Sequence, residues 1–398
     1  MRVLPNSSLR SGSIEPVVKI DRRNGRCADG TGVSKIVLLT GRRDRPTDGV
    51  HDYCDYLGCA LRLHGIEVHL REVAWDQVTW PATVRAIFRQ CSVWKDSWVM
   101  LQYTTLAWSR RGLPFGAWVV LLLLRWRGLR CAVVFHEATR QTGERWIDRL
   151  RGMCQHWVIR HLYSGANMGI FLDPLDKIDW LPHNAPKAVF IPIGANIPES
   201  DPPDAHRHDL NTGTKTVAVF CLSDPPNRHR ELADIAHAMQ VVAQHGVKAR
   251  VVFLGRGTEE AREEIERMFD SSTGEAVNLG LQSADEVRRI LSESDAMLCV
   301  RGPLYMRRGS AIAGIACGLP IVGYAGAADG TPLEEAGVEL VPYLDRAALG
   351  SALYRVLCNP EQQTRLASRS REAQRKYFCW DRVAASVASC LEREGEPH

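Results

Sequence analysis

The sequence lacks a dominant charge of either sign. Its 398 residues include 50 Lys and Arg residues and 46 Asp and Glu residues, which gives a formal net charge of +4. A protein that binds a nucleic acid usually carries a strong basic excess. The near balance argues against such a partner, and the short clusters Arg42–Arg43, Arg110–Arg111 and Arg307–Arg308 favour small anionic ligands instead.

The sequence also lacks the paired ligands of common metal sites. None of its 12 cysteines belongs to a CxxC pair, which argues against a zinc or iron–sulfur centre. No Asp-x-Asp motif stands in a loop suited to a metal-bound diphosphate. Several cysteines lie within apolar runs, where a free thiol behaves as a small hydrophobic group, and we expect a reducing, cytoplasmic location.

Long hydrophobic runs are absent as well. The most apolar stretch, 117–124, is shorter than the about 20 residues that a membrane-spanning helix needs. We interpret it as part of a buried helix and leave open a peripheral contact of that helix with a membrane. Residues 1–33 are polar and contain no apolar core of a signal peptide, so we expect a flexible N-terminal extension.

What the sequence does contain is a repeated alternation of apolar strands and helices. Uninterrupted apolar strands separated by helices are typical of a parallel sheet that is covered on both faces. The first half predicts strands at 34–40, 66–73, 97–103 and 131–135, and helices at 51–63, 81–90 and 115–126.

A second series of the same kind follows a stretch rich in Pro, Asp, His and Asn, 198–214, which we interpret as a linker. It predicts strands at 216–221, 250–254, 277–280, 296–300 and 320–322, and helices at 230–244, 259–269 and 285–291. We therefore predict an α/β fold of two Rossmann-like domains, 34–197 and 215–377, that face a central cleft.

The segment Arg301–Ser310 predicts an anion site at the start of a small-residue helix. The first turn of a helix presents unpaired N–H groups and the positive end of the helix dipole. Arg307 and Arg308 can add bidentate, charge-assisted bonds to phosphate oxygens. The alternative is that Ser310 caps the helix and that the arginines lie in solvent.

Seven segments, in their order along the chain, resemble the GT-B glycosyltransferases and specifically their large retaining family 4. The resemblance extends from about Lys35 to the C-terminus and implies a C-terminal helix, 378–398, that packs back on the N-terminal domain. The segments are 48–68, 133–137 (VVFHE), 191–196 (IPIGAN), 252–257 (VFLGRG), 277–280, 285–295 and 378–380 (FCW).

The family's most diagnostic feature, two glutamates separated by seven residues, is missing, because those positions are Tyr305 and Ala313 here. The resemblance implies that the donor is bound by Gly49, Arg228, Arg230, Tyr305, Arg307, Arg308, Gly309 and Ser310. For Arg228 and Arg230 a solvated helix start is the alternative. A nucleotide that contains deoxyribose would suit the loss of the ribose-binding glutamate.

The resemblance also places His136 beside the donor sugar and the reacting centre, with a structural role at the end of a strand as the alternative. Glu137 either accepts a hydrogen bond from an acceptor hydroxyl or caps the next helix. Tyr103, Arg145 and Arg149 fall where the first domain would face the acceptor. The implied transfer is independent of metal and cofactor and retains the anomeric configuration.

The sequence thus predicts a glycosyltransferase that uses a nucleoside-diphosphate sugar and a small or lipid-linked acceptor. Two alternatives remain open at this point. One is a non-catalytic GT-B protein that binds a nucleotide or glycan as the partner of an active enzyme, which the missing glutamates favour. The other is a sugar-nucleotide epimerase of the same fold.

Overall fold

The fold is described from a computed structural model, which covers residues 33–41, 49–73, 75, 79–109, 111–139, 143, 145–198, 213–269, 274–326 and 331–394. The N-terminal extension up to residue 32 and linker residues 199–212 lie outside these ranges, as do Arg42, Arg43, Asp48 and Arg110.

The strands of the described residues are β1 (Lys35–Thr40), β2 (Glu67–Glu72), β3 (Trp98–Tyr103), β4 (Arg130–Phe135), β5 (Met168–Phe171), β6 (Ala188–Phe190), β7 (Lys215–Phe220), β8 (Ala249–Leu254), β9 (Glu275–Gly280), β10 (Ala296–Cys299), β11 (Ile321–Tyr324) and β12 (Val338–Val341). The helices are α1 (Gly49–Leu63), α2 (Trp80–Gln90), α3 (Phe115–Trp126), α4 (Trp146–Gly165), α5 (Asn227–Gln244), α6 (Arg262–Met268), α7 (Ala284–Ser292), α8 (Gly309–Ala316), α9 (Pro332–Glu335), α10 (Arg346–Cys358), α11 (Pro360–Ala373) and α12 (Trp380–Arg393).

The first sheet is entirely parallel, with the strand order β2-β1-β3-β4-β5-β6. Every residue of β3 is buried, and so are all but the first residue of β1 and of β4. Helices α2, α3 and α4 cover one face of this sheet, whereas α1 and α12 cover the other. The chain reverses its winding direction between β1 and β3, so that the ends of these strands frame a crevice.

The second sheet is also parallel, with the strand order β12-β11-β10-β7-β8-β9. Helices α5, α6 and α10 cover one face, and α7 and α8 cover the other. Its winding reverses between β10 and β7. The predicted architecture of two Rossmann-like domains is confirmed, and the carboxyl ends of β7 and β10 mark the expected ligand crevice of the second domain.

Two of the weak sequence segments, IPIGAN and FCW, meet in space. Trp380 opens α12, its indole Nε1 donates to the carbonyl of Ala195 at 2.7 Å, and its ring stacks on Tyr56 of α1 with ring centroids 5.7 Å apart. Buried residues of α12 share the apolar core under α1. The C-terminal helix therefore packs on the N-terminal domain.

Substitution of Gly194 by alanine is expected to destabilise this junction, because an added Cβ would lie 2.4 Å from the indole of Trp380. Forcing atoms into a packed core costs about 1–3 kcal/mol, measurable as a lower free energy of unfolding in urea. The matched control is Gly49→Ala in the first turn of α1, where a Cβ meets nothing within 4 Å. Equal stability of the two variants would contradict the packing described here.

Within the described ranges, no helix is both long and apolar enough to cross a membrane. The apolar stretch identified in the sequence lies in α3, which has 12 residues and buries one side against the first sheet.

Candidate active site

The loop after β7, at the centre of the second domain, has an unusual backbone conformation. Cys221 follows the strand directly and has a φ of 69°, the left-handed region that normally selects glycine. Its amide donates to the carbonyl of Leu254 at 2.8 Å. Burial raises the pKa of its thiol. Cys221 therefore belongs to the floor of the crevice as a neutral, small side chain.

Two arginines, Arg301 and Arg308, line the crevice beside Cys221. Arg308 immediately precedes α8, and its Nη2 donates to the carbonyls of Arg301 at 2.8 Å and Pro303 at 3.4 Å. Its guanidinium lies 5.4 Å from the ring centroid of Tyr305. The Nε of Arg301 is buried and has no hydrogen-bond partner.

The charge of these two guanidinium groups is only partly compensated by the described protein, because the carboxylate of Glu231 acts on Arg308 without forming an ion pair with it. Burial, and secondarily the neighbouring charge of Arg301, lower the pKa of Arg308. Across the described ranges, no carboxylate forms an ion pair with either arginine. Buried charges are normally paired, so this pair, which we call the arginine pair, is suited to an anionic ligand.

The arginine pair lines a small cavity together with Ser310 and the ends of β7 and β10. Its volume is about 10 Å³, close to the space that one water molecule needs. A phosphate group would therefore contact the rim of this cavity, where the first N–H groups of α8 also lie.

The alternative role for Ser310 was to cap helix α8, but the structure shows a different start of this helix. The capping position is occupied by Arg308, with no side-chain capping bond, and Ser310 is the second residue of the helix. The capping alternative is therefore wrong. Tyr305 is exposed beside the helix start, whereas Ala313 is buried in the helix interior and has no side chain that could bind a ribose.

Arg307 has a different environment from its neighbour. Its Nε lies 2.7 Å from a carboxylate oxygen of Asp173, and its Nη1 donates to the carbonyl of His136 at 2.8 Å. Burial raises the pKa of the Asp173 carboxyl, although the guanidinium opposes the shift. Both partners belong to the first domain. Arg307 therefore joins the two domains across the cleft, and its binding of the donor stays a prediction.

His136 follows β4 at the cleft edge of the first sheet. Its amide donates to the carbonyl of Tyr103 at 3.0 Å, and its Nε2 lies 2.8 Å from Oε1 of the buried Gln102. The amide nitrogen of Gln102 donates to the carbonyl of Met100 at 3.4 Å, which assigns the amide orientation. The ring of His136 therefore donates from Nε2, and in the neutral imidazole Nδ1 is the acceptor.

The sequence also made predictions for two further residues of the first domain, Glu137 and Tyr103. The carboxylate of Glu137 accepts from the amide of Thr105 at 3.1 Å, and because the next helix begins at Trp146, Glu137 does not cap it. Tyr103 is fully buried in the core, where burial raises its pKa. The prediction that Tyr103 faces an acceptor is wrong, because alternate residues of β3 point to opposite faces and both faces are covered.

The two arginines of α5 are held by carboxylates. Arg228 makes a two-nitrogen contact with Glu264 of α6, at 3.0 and 2.8 Å, and is largely buried. The solvated alternative is therefore wrong for Arg228, whereas donor binding by this residue stays a prediction. Arg230 pairs with the buried Asp234 at 2.9 Å, and its Nη2 reaches the carbonyl of Val300 at 3.3 Å, directly after β10.

Donor binding by Gly49 and Gly309 and acceptor binding by Arg145 and Arg149 remain predictions. Gly49 is the first residue of α1 and faces open space, while Gly309 opens α8 beside the arginine pair. Arg145 and Arg149 are exposed at the start of α4.

Four residues of the site were not predicted from the sequence. Arg301 is the first residue of the predicted anion-binding segment Arg301–Ser310. Arg256 lies near Cys221, between two glycines with positive φ in the segment 252–257 (VFLGRG). Gln102 contacts His136 and Asp173 contacts Arg307, and each lies within two residues of the end of a buried strand. A polar residue near the end of an apolar strand is the sequence pattern that could have identified Gln102 and Asp173.

In the part of the chain that the structure describes, no group of three or more His, Cys, Asp or Glu residues is arranged to hold a metal ion.

The sequence matches no protein-family model and no curated protein. Solved structures do match. HepE of Anabaena, in complex with UDP and glucose, aligns with a TM-score of 0.62 and 12% identity over 90% of this chain and 100% of that chain. Sucrose-phosphate synthase of Thermosynechococcus elongatus aligns with a TM-score of 0.63 and 17% identity over 90% and 98%. The fold is GT-B.

The matching structures also include a protein of the same fold with a different activity. A putative UDP-N-acetylglucosamine 2-epimerase of Listeria monocytogenes aligns with a TM-score of 0.60 and 11% identity over 91% of this chain and 97% of that chain. At these identities the likeness shows the fold alone.

Proposed function

We propose that this protein is a cytoplasmic glycosyltransferase that transfers a sugar from a nucleoside-diphosphate sugar to a small or lipid-linked acceptor. The observation that carries the proposal is the arginine pair, Arg301 and Arg308, which lies at the start of α8 and at the switch point of the second sheet and forms no ion pair with a carboxylate of the described residues. The complexes of HepE with UDP support a nucleotide ligand for this fold.

The departing diphosphate develops negative charge as the bond to the sugar breaks. In this proposal the arginine pair and the N-terminus of α8 meet that charge with fixed, preorganised donors. Such donors need no rearrangement during the reaction, and they supply the positive charge without a metal ion. Tyr305, which packs beside Arg308, is positioned next to the nucleotide.

The first domain supplies the opposite wall of the reaction site. His136 is oriented by Gln102, and its carbonyl is joined to Arg307 of the second domain. We assign its imidazole to the sugar and the reacting centre, as a group that takes part in proton transfer. Retention, by attack on the face from which the diphosphate leaves, and transfer without metal are parts of this proposal.

The test begins with a thermal-shift screen of UDP, GDP, ADP and dTDP, each beside its monophosphate. A bound diphosphate at 100 times its Kd is expected to stabilise the fold by about 2.7 kcal/mol. One diphosphate should exceed the others, and its monophosphate should shift the unfolding temperature much less. No shift by any diphosphate would contradict the proposed donor site.

The epimerase alternative shares the diphosphate site and differs in what happens to the sugar. With the selected nucleotide sugar, a glycosyltransferase hydrolyses the donor slowly or transfers its sugar when acceptor is present. Interconversion of the donor sugar in the absence of acceptor, followed by NMR, would instead assign the chain to the epimerase class.

A further inference from the structure

The outer side of α3 is apolar. Phe115, Val119, Leu122 and Trp126 are exposed and recur at the spacing of a single helix face, whereas the opposite side of the helix is buried against the first sheet. Trp126 is 75% exposed. A helix that covers a sheet normally exposes polar residues to solvent, whereas the outer face of α3 exposes apolar ones.

Helix α4 repeats this pattern. Its exposed apolar residues Trp146, Leu150, Met153 and Trp157 have the same spacing, and Trp146 and Met153 are 75% and 64% exposed. The other side of α4 contributes Val158 and its neighbours to the core. Both helices are thus apolar on the side that packs and on the side that faces outward.

These two faces form one surface. The ring centroid of Trp157 lies 5.9 Å from that of Phe115 and 5.0 Å from that of Trp118, and Phe88 of α2 lies 5.8 Å from Trp126. We call this surface the apolar face. A contiguous exposed patch of this kind marks an interaction site. Its residues are Phe88, Phe115, Val119, Leu122, Trp126, Trp146, Leu150, Met153 and Trp157.

Positive charge surrounds the apolar face. Residues 80–165, which include α2, α3 and α4, contain 13 Lys and Arg residues but four Asp and Glu residues, in a chain whose total net charge is +4. The charge excess of the protein is therefore concentrated here. Exposed members around the face are Arg111, Arg125, Arg127, Arg145, Arg149 and Arg160.

We propose that the apolar face docks the protein on the surface of an anionic lipid membrane. Large apolar side chains flanked by arginine are the composition of helices that lie in the membrane interface, with the apolar side inserted by about 5–10 Å. Tryptophan is enriched at that depth. The arginines add attraction to acidic headgroups.

The charge argues against the other occupants of this face. A symmetric dimer would place the same patch of both copies in contact, and thus bring two strongly basic surfaces together. The N-terminal segment of the chain, 1–32, is also basic, with six Lys and Arg residues and three Asp and Glu residues. An anionic surface complements the face, whereas a second copy or this segment repels it.

The docking surface adjoins the cleft edge of the first domain. Trp157, the twelfth residue of α4, lies beside Phe115, the first residue of α3. The first part of α4 therefore extends beyond α3 by about 16 Å at a rise of 1.5 Å per residue. Helices that follow parallel strands begin at the carboxyl edge of the sheet, where His136 lies. Docking would bring a lipid-linked acceptor to this edge, a consequence that rests on the proposed function.

The test measures sedimentation of the full chain with two kinds of vesicle, one of phosphatidylcholine alone and one with phosphatidylglycerol added. We expect binding to the anionic vesicles that weakens as salt is raised. The double variant Trp126→Gln/Trp146→Gln should bind about ten-fold more weakly or worse. Arg149→Gln/Arg160→Gln should lose about 30-fold, from about 1 kcal/mol for each arginine.

Matched controls use exposed residues elsewhere. Leu63→Gln replaces a 65% exposed leucine of α1 on the opposite side of the same domain, and Arg365→Gln neutralises an exposed arginine of α11. Both should bind anionic vesicles like the parent protein. Circular dichroism verifies that each variant folds, and these surface changes are not expected to disturb the core.

Three results would overturn the proposal. The first is no binding to anionic vesicles, and the second is binding that the apolar-face variants retain in full. The third is concentration-dependent dimerisation in analytical ultracentrifugation that Trp126→Gln/Trp146→Gln abolishes, which would assign the face to a second copy. Vesicle binding does not depend on nucleotide binding, so failure of the donor screen leaves this test unaffected.

Discussion

Arg301→Met is expected to remove nucleoside-diphosphate binding without lowering the stability of the unliganded protein. The guanidinium of Arg301 has a buried Nε with no partner and repels Arg308. Methionine fills similar space without that charge. A charge-assisted hydrogen bond contributes about 1.5–3 kcal/mol, or roughly 10- to 150-fold in Kd. Thermal unfolding with and without the selected diphosphate measures both effects.

Arg228→Met provides the matched control for this prediction. Arg228 pairs with Glu264 through two nitrogens, and its removal leaves a partly buried carboxylate without its partner, at a cost of about 1–3 kcal/mol. This variant should unfold at a lower temperature and still be stabilised by the diphosphate. The donor site would be located wrongly if Arg301→Met kept the diphosphate shift or if Arg228→Met lost it.

The two variants distinguish a ligand-binding arginine from a structural one, because their expected effects on stability and on diphosphate binding are opposite. A residue kept for stability is satisfied in the unliganded fold, as Arg228 is. A residue kept for an anion is left poorly satisfied until the anion binds, as Arg301 is. Arginine content and spacing do not distinguish the two cases, because the difference lies in the carboxylates that approach from other parts of the chain.

The fold was largely predictable because apolar strands dominate it. β1, β3, β4, β7, β8 and β10 are central strands whose sequences are mostly apolar. Helix α4 was not predicted, since its exposed Trp146, Leu150, Met153 and Trp157 obscure the two-sided pattern of a helix on a sheet. The short strands β5, β6 and β12, with three or four residues each, were not predicted.

The site was predictable in place but not in detail. The position of Arg307 and Arg308 at the start of α8 followed from the sequence, but adjacent side chains at a helix start point in different directions. Arg308 turns toward Arg301, whereas Arg307 crosses to Asp173, a residue of the other domain. Such long-range pairings are set by how the domains meet, which no local pattern encodes.

His136→Ala is expected to abolish most sugar transfer while leaving diphosphate binding intact. Acid–base participation by a positioned side chain contributes about 10²- to 10⁴-fold to the rate, and we expect kcat to fall within that range. The nucleotide contacts proposed here belong to the second domain. The alanine variant also keeps the backbone carbonyl that accepts from Arg307, so the junction of the two domains should persist.

Two further variants distinguish a reacting imidazole from a merely structural one. Gln102→Leu removes the partner of Nε2 and should lower kcat and shift its pH profile, because the ring loses its fixed tautomer. Tyr53→Phe removes a buried hydroxyl with no partner beside the His136 ring, whose centroid is 4.9 Å away, and should leave kcat unchanged. If His136→Ala kept full transfer, or lost diphosphate binding in the same proportion as transfer, the imidazole would have only a structural role.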